Sequence, residues 1–144
     1  MLERFAMIKI TKESSVSIDD VLHLYQAVGW TNYTNQPQML EQALSHSLAT
    51  YLARDGEEIV GLVRLVGDGF SSVFVQDLIV LPSYQRQGIG SNLMKEALAD
   101  YKDAYQIQLA TEQTEKTLAF YRSLGFETLS TYDCIGMIWV DRKK

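Results

Sequence analysis

The stretch that most constrains this chain is Asp77–Leu98, "DLIVLPSYQRQGIGSNLMKEAL". An apolar run fit for a buried strand meets Pro82, a short polar loop follows, and two glycines flank Ile89 before a helical pattern begins. Peptide N–H groups in the first turn of a helix have no intrahelical acceptor, and the helix dipole adds partial positive charge there. Gly88 and Gly90 place no side chain between those groups and a ligand. Such a loop makes an anion site, with phosphate its usual occupant. Arg86 adds a charged donor, and Ser91 and Asn92 add polar ones. The same spacing also serves a plain turn from strand to helix. A nucleoside-triphosphate loop is disfavoured because no Gly-Lys-Ser/Thr ending is present, and a dinucleotide fingerprint because Leu93 stands where a third small residue belongs.

The rest of the chain supplies a frame for that loop. Ala6 to Thr11 alternates like a short strand. Ser17-Ile18-Asp19-Asp20 reads as a capping box for a helix with Val21, Leu22, Tyr25 and Val28 on one stripe, ending near Gly29. A loop from Trp30 to Gln36 leads to Pro37 and a second helix carrying Leu40, Ala43, Leu44 and Leu48. Asp55-Gly56 between two apolar runs is a hairpin signal, and Gly67-Asp68-Gly69 turns the chain again, so three strands up to Leu81 form a meander. A helix over Gly90–Tyr101 separates the third of them from a strand at Tyr105–Ala110, which makes those two parallel neighbours. Thr114 caps a helix to Leu124, Gly125 ends it, and short strands near Phe126–Leu129 and Gly136–Val140 finish the chain. The class is α+β, with a mixed, mostly antiparallel sheet and about four helices. No linker or repeat divides the 144 residues, so a single domain over 1–144 is expected.

Composition excludes several functions. The formal charge of −5 and the lack of basic clusters beyond Arg142-Lys143-Lys144 argue against nucleic acid as a partner. No apolar run approaches the ~20 residues of a membrane-spanning helix. The first residues, MLERFAMIKI, lack the apolar core of a signal peptide. One cysteine, Cys134, leaves no internal disulfide and no multi-cysteine metal site. A soluble cytoplasmic protein, monomeric or homodimeric and without a metal, is the simplest expectation.

Gln85-Arg86-Gln87-Gly88-Ile89-Gly90 after "LIVLPSY" resembles the acetyl-coenzyme A signature of the GNAT N-acetyltransferase superfamily, Arg/Gln-x-x-Gly-x-Gly/Ala. A second block, Phe120-Tyr121-Arg122-Ser123-Leu124-Gly125-Phe126, is similar to the superfamily's helix ending in "FYxxxGF", and the order of elements matches across essentially the whole chain. Gln85 stands where many relatives carry arginine. The resemblance implies acetyl-CoA as co-substrate and a sheet splayed at the cofactor site. It places pyrophosphate on the N–H groups of Gln85, Arg86, Gln87, Gly88, Ile89 and Gly90, with Ser91 close by. It pairs pantetheine with the backbone of Leu78, Ile79 and Val80, and sets Thr114 where relatives often hold an asparagine touching the cofactor.

Acetyl transfer to an amine requires a neutral nucleophile, a stabilised oxyanion and a proton for the departing thiolate. Tyr121 holds the position that supplies the acid in many relatives, and a phenol with pKa near 10 carries its proton at neutral pH. The strand before the second block offers no carboxylate, so Asp77 is the substitute general base, facing a wet cleft, with a cation anchor, a structural aspartate or a water chain as competitors. Trp30 and Tyr33 in the polar loop would form an aromatic wall for the amine, or fold back on the core, and Tyr132 would close the other side. His23, His46 and Glu112 are read as packing or solvated positions. The implied function is transfer of acetyl from acetyl-CoA to a primary amine of a small molecule or peptide; the alternative is a non-catalytic acyl-CoA-binding regulatory module on the same fold.

Overall fold

Two hairpin turns set the order of the central sheet. Gly56, with φ of +63°, closes the turn after Asp55 and joins β2 (Ala49–Asp55) to β3 (Glu58–Gly67). Gly67, with φ of +130°, begins the next turn, where a Cβ would lie 2.3 Å from the Ser72 carbonyl oxygen. The Asp68 carboxylate then accepts from the backbone N–H groups of Phe70, Ser71 and Ser72 and launches β4 (Ser72–Val80). With β1 (Ile8–Glu13) ahead of them and β5 (Gln106–Leu109) behind, the five strands lie in the order β1-β2-β3-β4-β5. All neighbours are antiparallel except β4 and β5, which run parallel as their helical crossover requires.

The computed structural model describes residues 7–141. Ala6, placed at the head of the first strand by its pattern, and the basic end Arg142-Lys143-Lys144 lie outside the described residues. The chain divides into two compact units between Leu109 and Ala110.

In the N-terminal unit, helices cover both faces of the sheet. On one face α1 (Ile18–Ala27), α2 (Thr31–Thr34) and α3 (Pro37–Ser45) bring Val21, Leu24, Tyr25, Tyr33, Leu40 and Leu44 onto Leu52, Ile59, Leu62 and Ile79. On the other, α4 (Ile89–Asp100) buries Ile89, Leu93, Met94 and Ala97. Gly61 in β3 makes this close packing possible: a Cβ there would stand 3.0 Å from the Ile79 carbonyl oxygen and 3.3 Å from Leu93.

Some sequence-based expectations change in detail. The Ser17 side chain makes no capping bond, so the capping box reduces to a backbone contact from Asp20 N–H to the Ser17 carbonyl. The loop after Gly29 contains the helical turn α2, seeded by N–H groups of Tyr33 and Thr34 donating to the Trp30 carbonyl. Helix α3 stops at Ser45, leaving Leu48 outside it, with its N–H on the Leu65 carbonyl of β3.

In the C-terminal unit, Thr114 caps α5 (Glu115–Ser123) by accepting from Thr117 N–H at 3.2 Å, and Gly125, with φ of +99°, ends the helix region. The strands expected near Phe126–Leu129 and Gly136–Val140 do not form. Leu129–Tyr132 is a 3-10 turn, in which the Thr128 hydroxyl meets those of Ser130 and Thr131 and Asp133 closes the turn at φ of +57°. Hydroxyl-rich segments favour such local bonds over a ladder. Residues 133–140 have strand-like composition, but a strand needs a neighbouring backbone and no ladder forms there; Ile135, Met137 and Ile138 are 83%, 93% and 86% exposed.

Candidate functional site

The site begins where β4 leaves its parallel neighbour. Pairing with β5 runs from Ser72–Gln106 to Val75–Leu109 and ends there, because β5 ends. Against β3, the register shifts at the same point: Leu65 pairs with Val75 but Arg64 pairs with Asp77, so Gln76 is an extra, bulged residue. A bulge bends its strand and sharpens the local twist. Beyond it, β4 keeps β3 on one side and has no strand on the other among the described residues.

Register decides which backbone groups that open edge presents. Leu81 N–H donates to the Val60 carbonyl of β3 at 2.8 Å, so the backbone groups of Ile79, two residues earlier, also face β3. Leu78 and Val80 therefore aim theirs at the open side. The expectation that Ile79 pairs with pantetheine is corrected on this ground. The Val80 carbonyl already accepts from Gln85 Nε2 at 3.1 Å, which folds the loop's first side chain back over the strand end.

The loop that follows presents donors. Pro82–Tyr84 forms a single 3-10 turn, with Gln85 N–H donating to the Pro82 carbonyl at 3.3 Å. That bond takes Gln85 N–H out of the expected cradle. Arg86 then adopts φ of +66°, an uncommon conformation for a residue with a Cβ, and Gly88 lies at φ of +79° as the N-cap of α4. Alternation of left-handed and ordinary residues turns successive N–H groups toward one side, the geometry of an anion nest. No side chain caps α4, and a Cβ on Gly88 would meet nothing within 4 Å. Arg86, Gln87 and Gly88 are exposed, while Ile89 is buried and anchors the helix start. An open cradle of main-chain donors beside an unpaired strand edge fits a ligand with a phosphate head and an amide-bearing tail.

Asp77 is placed otherwise than expected. It is 3% exposed and its carboxylate is fully engaged. Oδ2 accepts from Tyr25 OH at 2.8 Å and from Arg64 Nε at 2.7 Å, and Oδ1 accepts from Tyr33 OH at 2.9 Å. Arg64, 3% exposed, also donates to Tyr33 Oη at 3.2 Å and to Ser47 Oγ at 3.3 Å. Burial pushes the Tyr25 and Tyr33 phenols up, and the Asp77 charge and hydrogen bonds push the same way. Burial alone would lower the Arg64 guanidinium, yet Asp77 holds it above its usual range. The wet cleft expected around Asp77 is therefore absent, and a buried carboxylate with a donor on each oxygen is shut off from an acceptor's proton. The aromatic wall is corrected by the same contacts. Tyr33 is buried against Tyr25, ring centroids 5.0 Å apart, and Trp30 packs half-buried on the same cluster. Arg64 was not singled out from the sequence, although one cation in "EIVGLVRLVG" and one anion in "SVFVQDLIV", on adjacent antiparallel strands, carry the signal.

The C-terminal unit holds the other expected residues. Tyr121 is half-buried on α5, edge-on to Phe120 at 5.0 Å and to Phe126 at 5.9 Å. Burial pushes its phenol up, against a hydrogen bond with Thr111 that lowers it. The Thr114 hydroxyl is spent on its own helix, bonded to Thr117 N–H and Oγ1. Tyr132 is 70% exposed in the 3-10 turn, and Glu112 is exposed. In the N-terminal unit His23 contacts the Ile59 carbonyl and His46 the Gln42 carbonyl. No cluster of metal-ligating side chains occurs among the described residues.

Residues 46–128 match the model of the acetyltransferase (GNAT) domain. The chain belongs to the GNAT acetyltransferase family. A solved GNAT-family acetyltransferase from Streptococcus pneumoniae TIGR4 superposes with a TM-score of 0.88 at 74% identity, covering 94% of this chain and 99% of that one. Serotonin N-acetyltransferase 2, chloroplastic, from Oryza sativa subsp. japonica is 32% identical over 95 residues, 63% of this chain and 48% of that protein. A GNAT family acetyltransferase from Elizabethkingia anophelis, solved with acetyl-CoA bound, shares the fold at 23% identity and a TM-score of 0.62, covering 83% of this chain and 76% of that one. This GNAT chain spans 48% and 65% of the lengths of two plant relatives it matches.

Proposed function

We propose that this GNAT protein transfers an acetyl group from acetyl-CoA to a primary amine of a small molecule or peptide. The observation that carries the reading is the continuity of two backbone surfaces: the β4 edge at Leu78 and Val80, where the Gln85 side chain already holds the Val80 carbonyl, runs directly into the donor loop at Arg86–Gly90. The first would hold the amide-bearing arm of acetyl-CoA and the second its pyrophosphate, with Arg86 adding charge and Ser91 a hydroxyl. That the E. anophelis relative binds acetyl-CoA on the same fold supports the assignment.

Transfer joins the amine nitrogen to the thioester carbonyl carbon and breaks the carbon–sulfur bond, with the electron pair leaving on sulfur. Tyr121 is assigned the proton that this thiolate takes up, and its raised pKa keeps the phenol protonated at neutral pH. Tyr121 regains a proton from the nitrogen through water. With both Asp77 oxygens committed, the acceptor's ammonium proton passes to bulk solvent before attack. The rate should then follow the fraction of free amine, rising with pH toward the acceptor's own pKa.

Calorimetric titration of CoA into wild type and Gly90→Val tests the reading. Wild type is expected to bind, and a folded Gly90→Val protein to bind at least tenfold more weakly, because a branched side chain blocks close approach to the helix N–H groups (~1.4 kcal/mol for each factor of ten). Unchanged affinity in the folded variant would remove the proposed cofactor site.

A further inference from the structure

We propose that Asp77 is a positioning residue whose buried network sets the splay of β4 and so aims the Leu78 and Val80 backbone at the cofactor; the proposal rests on the acetyl-CoA reading above. Arg64–Asp77 is the last cross-strand pair before the register shift, and Gln76, the bulged residue, is the immediate neighbour of Asp77. One residue beyond Gln76 on its other side, Val75 makes the final pair with β5. The ion pair therefore sits at the point where β4 stops following its parallel neighbour.

Three groups converge on Asp77 from three elements besides β4, and a fourth braces one of them. Tyr25 comes from α1, Tyr33 from α2 and Arg64 from β3, and Ser47 ties the guanidinium to the segment after α3. Every buried polar side-chain atom among the described residues has a partner, so the network has no slack to absorb a shift of the strand. A purely structural ion pair would be as useful anywhere in the sheet. A slip of one residue at the bulge would exchange the groups facing β3 with those facing the open edge. A charged, bidentate-capable side chain locked by two phenols forbids that slip.

The test compares Tyr33→Phe, Tyr25→Phe and Asp77→Asn with Tyr51→Phe. Tyr51 is a built-in control: its hydroxyl donates to Asp100 at 2.6 Å, a partly buried tyrosine–carboxylate bond that shares no group with the Asp77 network. The full chain is used, with CoA affinity by calorimetry, KM and kcat by thiol release, and melting temperature for each variant. Tyr33→Phe and Asp77→Asn are expected to raise the KM for acetyl-CoA about tenfold or more while kcat at saturation stays within about twofold, since misaimed strand groups weaken cofactor binding equally in the ground and transition states. Tyr51→Phe is expected to lower the melting temperature but bind CoA as wild type does. An unchanged KM in folded Tyr33→Phe, or an equal rise in Tyr51→Phe, overturns the positioning role while the cofactor site stands. Should Asp77→Asn not fold, Tyr33→Phe decides alone. Wild type that fails to bind CoA overturns the cofactor reading itself, and the positioning role with it.

Discussion

Asp77 and the loop at Gln85–Gly90 lie on one continuous segment, yet their polar groups are in opposite conditions. Around Asp77 every donor has an acceptor, and the four side chains are sealed from water. In the loop, main-chain donors face outward, two residues hold left-handed conformations, and no side chain caps the helix behind them. A satisfied network stores specificity for one backbone arrangement. An unsatisfied one keeps its hydrogen-bonding capacity for a ligand. The contrast teaches that an acidic residue in an apolar strand near a cofactor loop is not a base by location; it must also be open to the acceptor's proton.

The largest effect should come from breaking the sealed region. Removal of one partner from a buried ion pair leaves the other charge uncompensated, so Asp77→Ala is expected to destabilise the protein by about 3–5 kcal/mol in urea denaturation. Replacing the charges together with the phenols that Asp77 accepts from (Arg64→Met, Asp77→Leu, Tyr25→Phe and Tyr33→Phe) should recover most of that stability. Equal losses in the single and combined variants would show that shape, not charge, decides the site.

Tyr121 sharpens the comparison from the other side, as a tyrosine whose hydroxyl is not spent on a carboxylate. Tyr121→Phe keeps the ring on Phe120 and Phe126, so stability should change little. Loss of a general acid should slow transfer by about 10² or more while CoA binding persists. Single-turnover kinetics at full rate would leave Tyr121 a packed aromatic and favour the non-catalytic, acyl-CoA-binding alternative.

The two tyrosines of the sealed region predict an alkaline limit. Their folded pKa values lie above the unfolded value near 10, first because of burial and then because of the Asp77 charge. A raised folded pKa contributes stability that is fully present below the unfolded pKa and is lost as pH rises through the folded one. Wild type should therefore lose stability progressively above about pH 10, and Tyr25→Phe should show a shallower loss. Phenolate absorbance that rises before unfolding would place these hydroxyls in contact with water.

Much of this was legible because it depended on local rules. Strand alternation, Asp-Gly turns and the Gln-x-x-Gly-x-Gly block placed five strands, the crossover helix and the glycine loop before it within a residue or two. Asp77 was misread because its environment depends on register, which a pattern along one strand does not carry: the Gln76 bulge moves Arg64 opposite Asp77. Trp30 and Tyr33 were misread for a related reason. The stretch between Gly29 and Pro37 looks like a polar loop, but one helical turn swings Tyr33 inward to a carboxylate 44 residues away in sequence. The last strands failed for want of a partner that no sequence pattern specifies.

The smallest expected effect on the fold tests the open half of the comparison. Gly88 and Gly61 are both glycines near the site, but they are small for different reasons. At Gly61 a Cβ would press on the Ile79 backbone and Leu93, so Gly61→Ala disturbs the sheet itself. At Gly88 the space is open, and only φ of +79° opposes a side chain. Gly88→Ala should thus cost stability of about 1–2 kcal/mol, the penalty for an L-residue in the left-handed region. Its methyl group would nevertheless project from the N-cap of α4, beside the first free N–H groups, where a phosphate must approach closely. Calorimetry should show weakened CoA binding in a protein that melts only a few degrees early. A Gly88→Ala protein with intact CoA affinity would mean that this glycine serves the turn alone, and that the cradle lies further into α4, at Gly90 and Ser91.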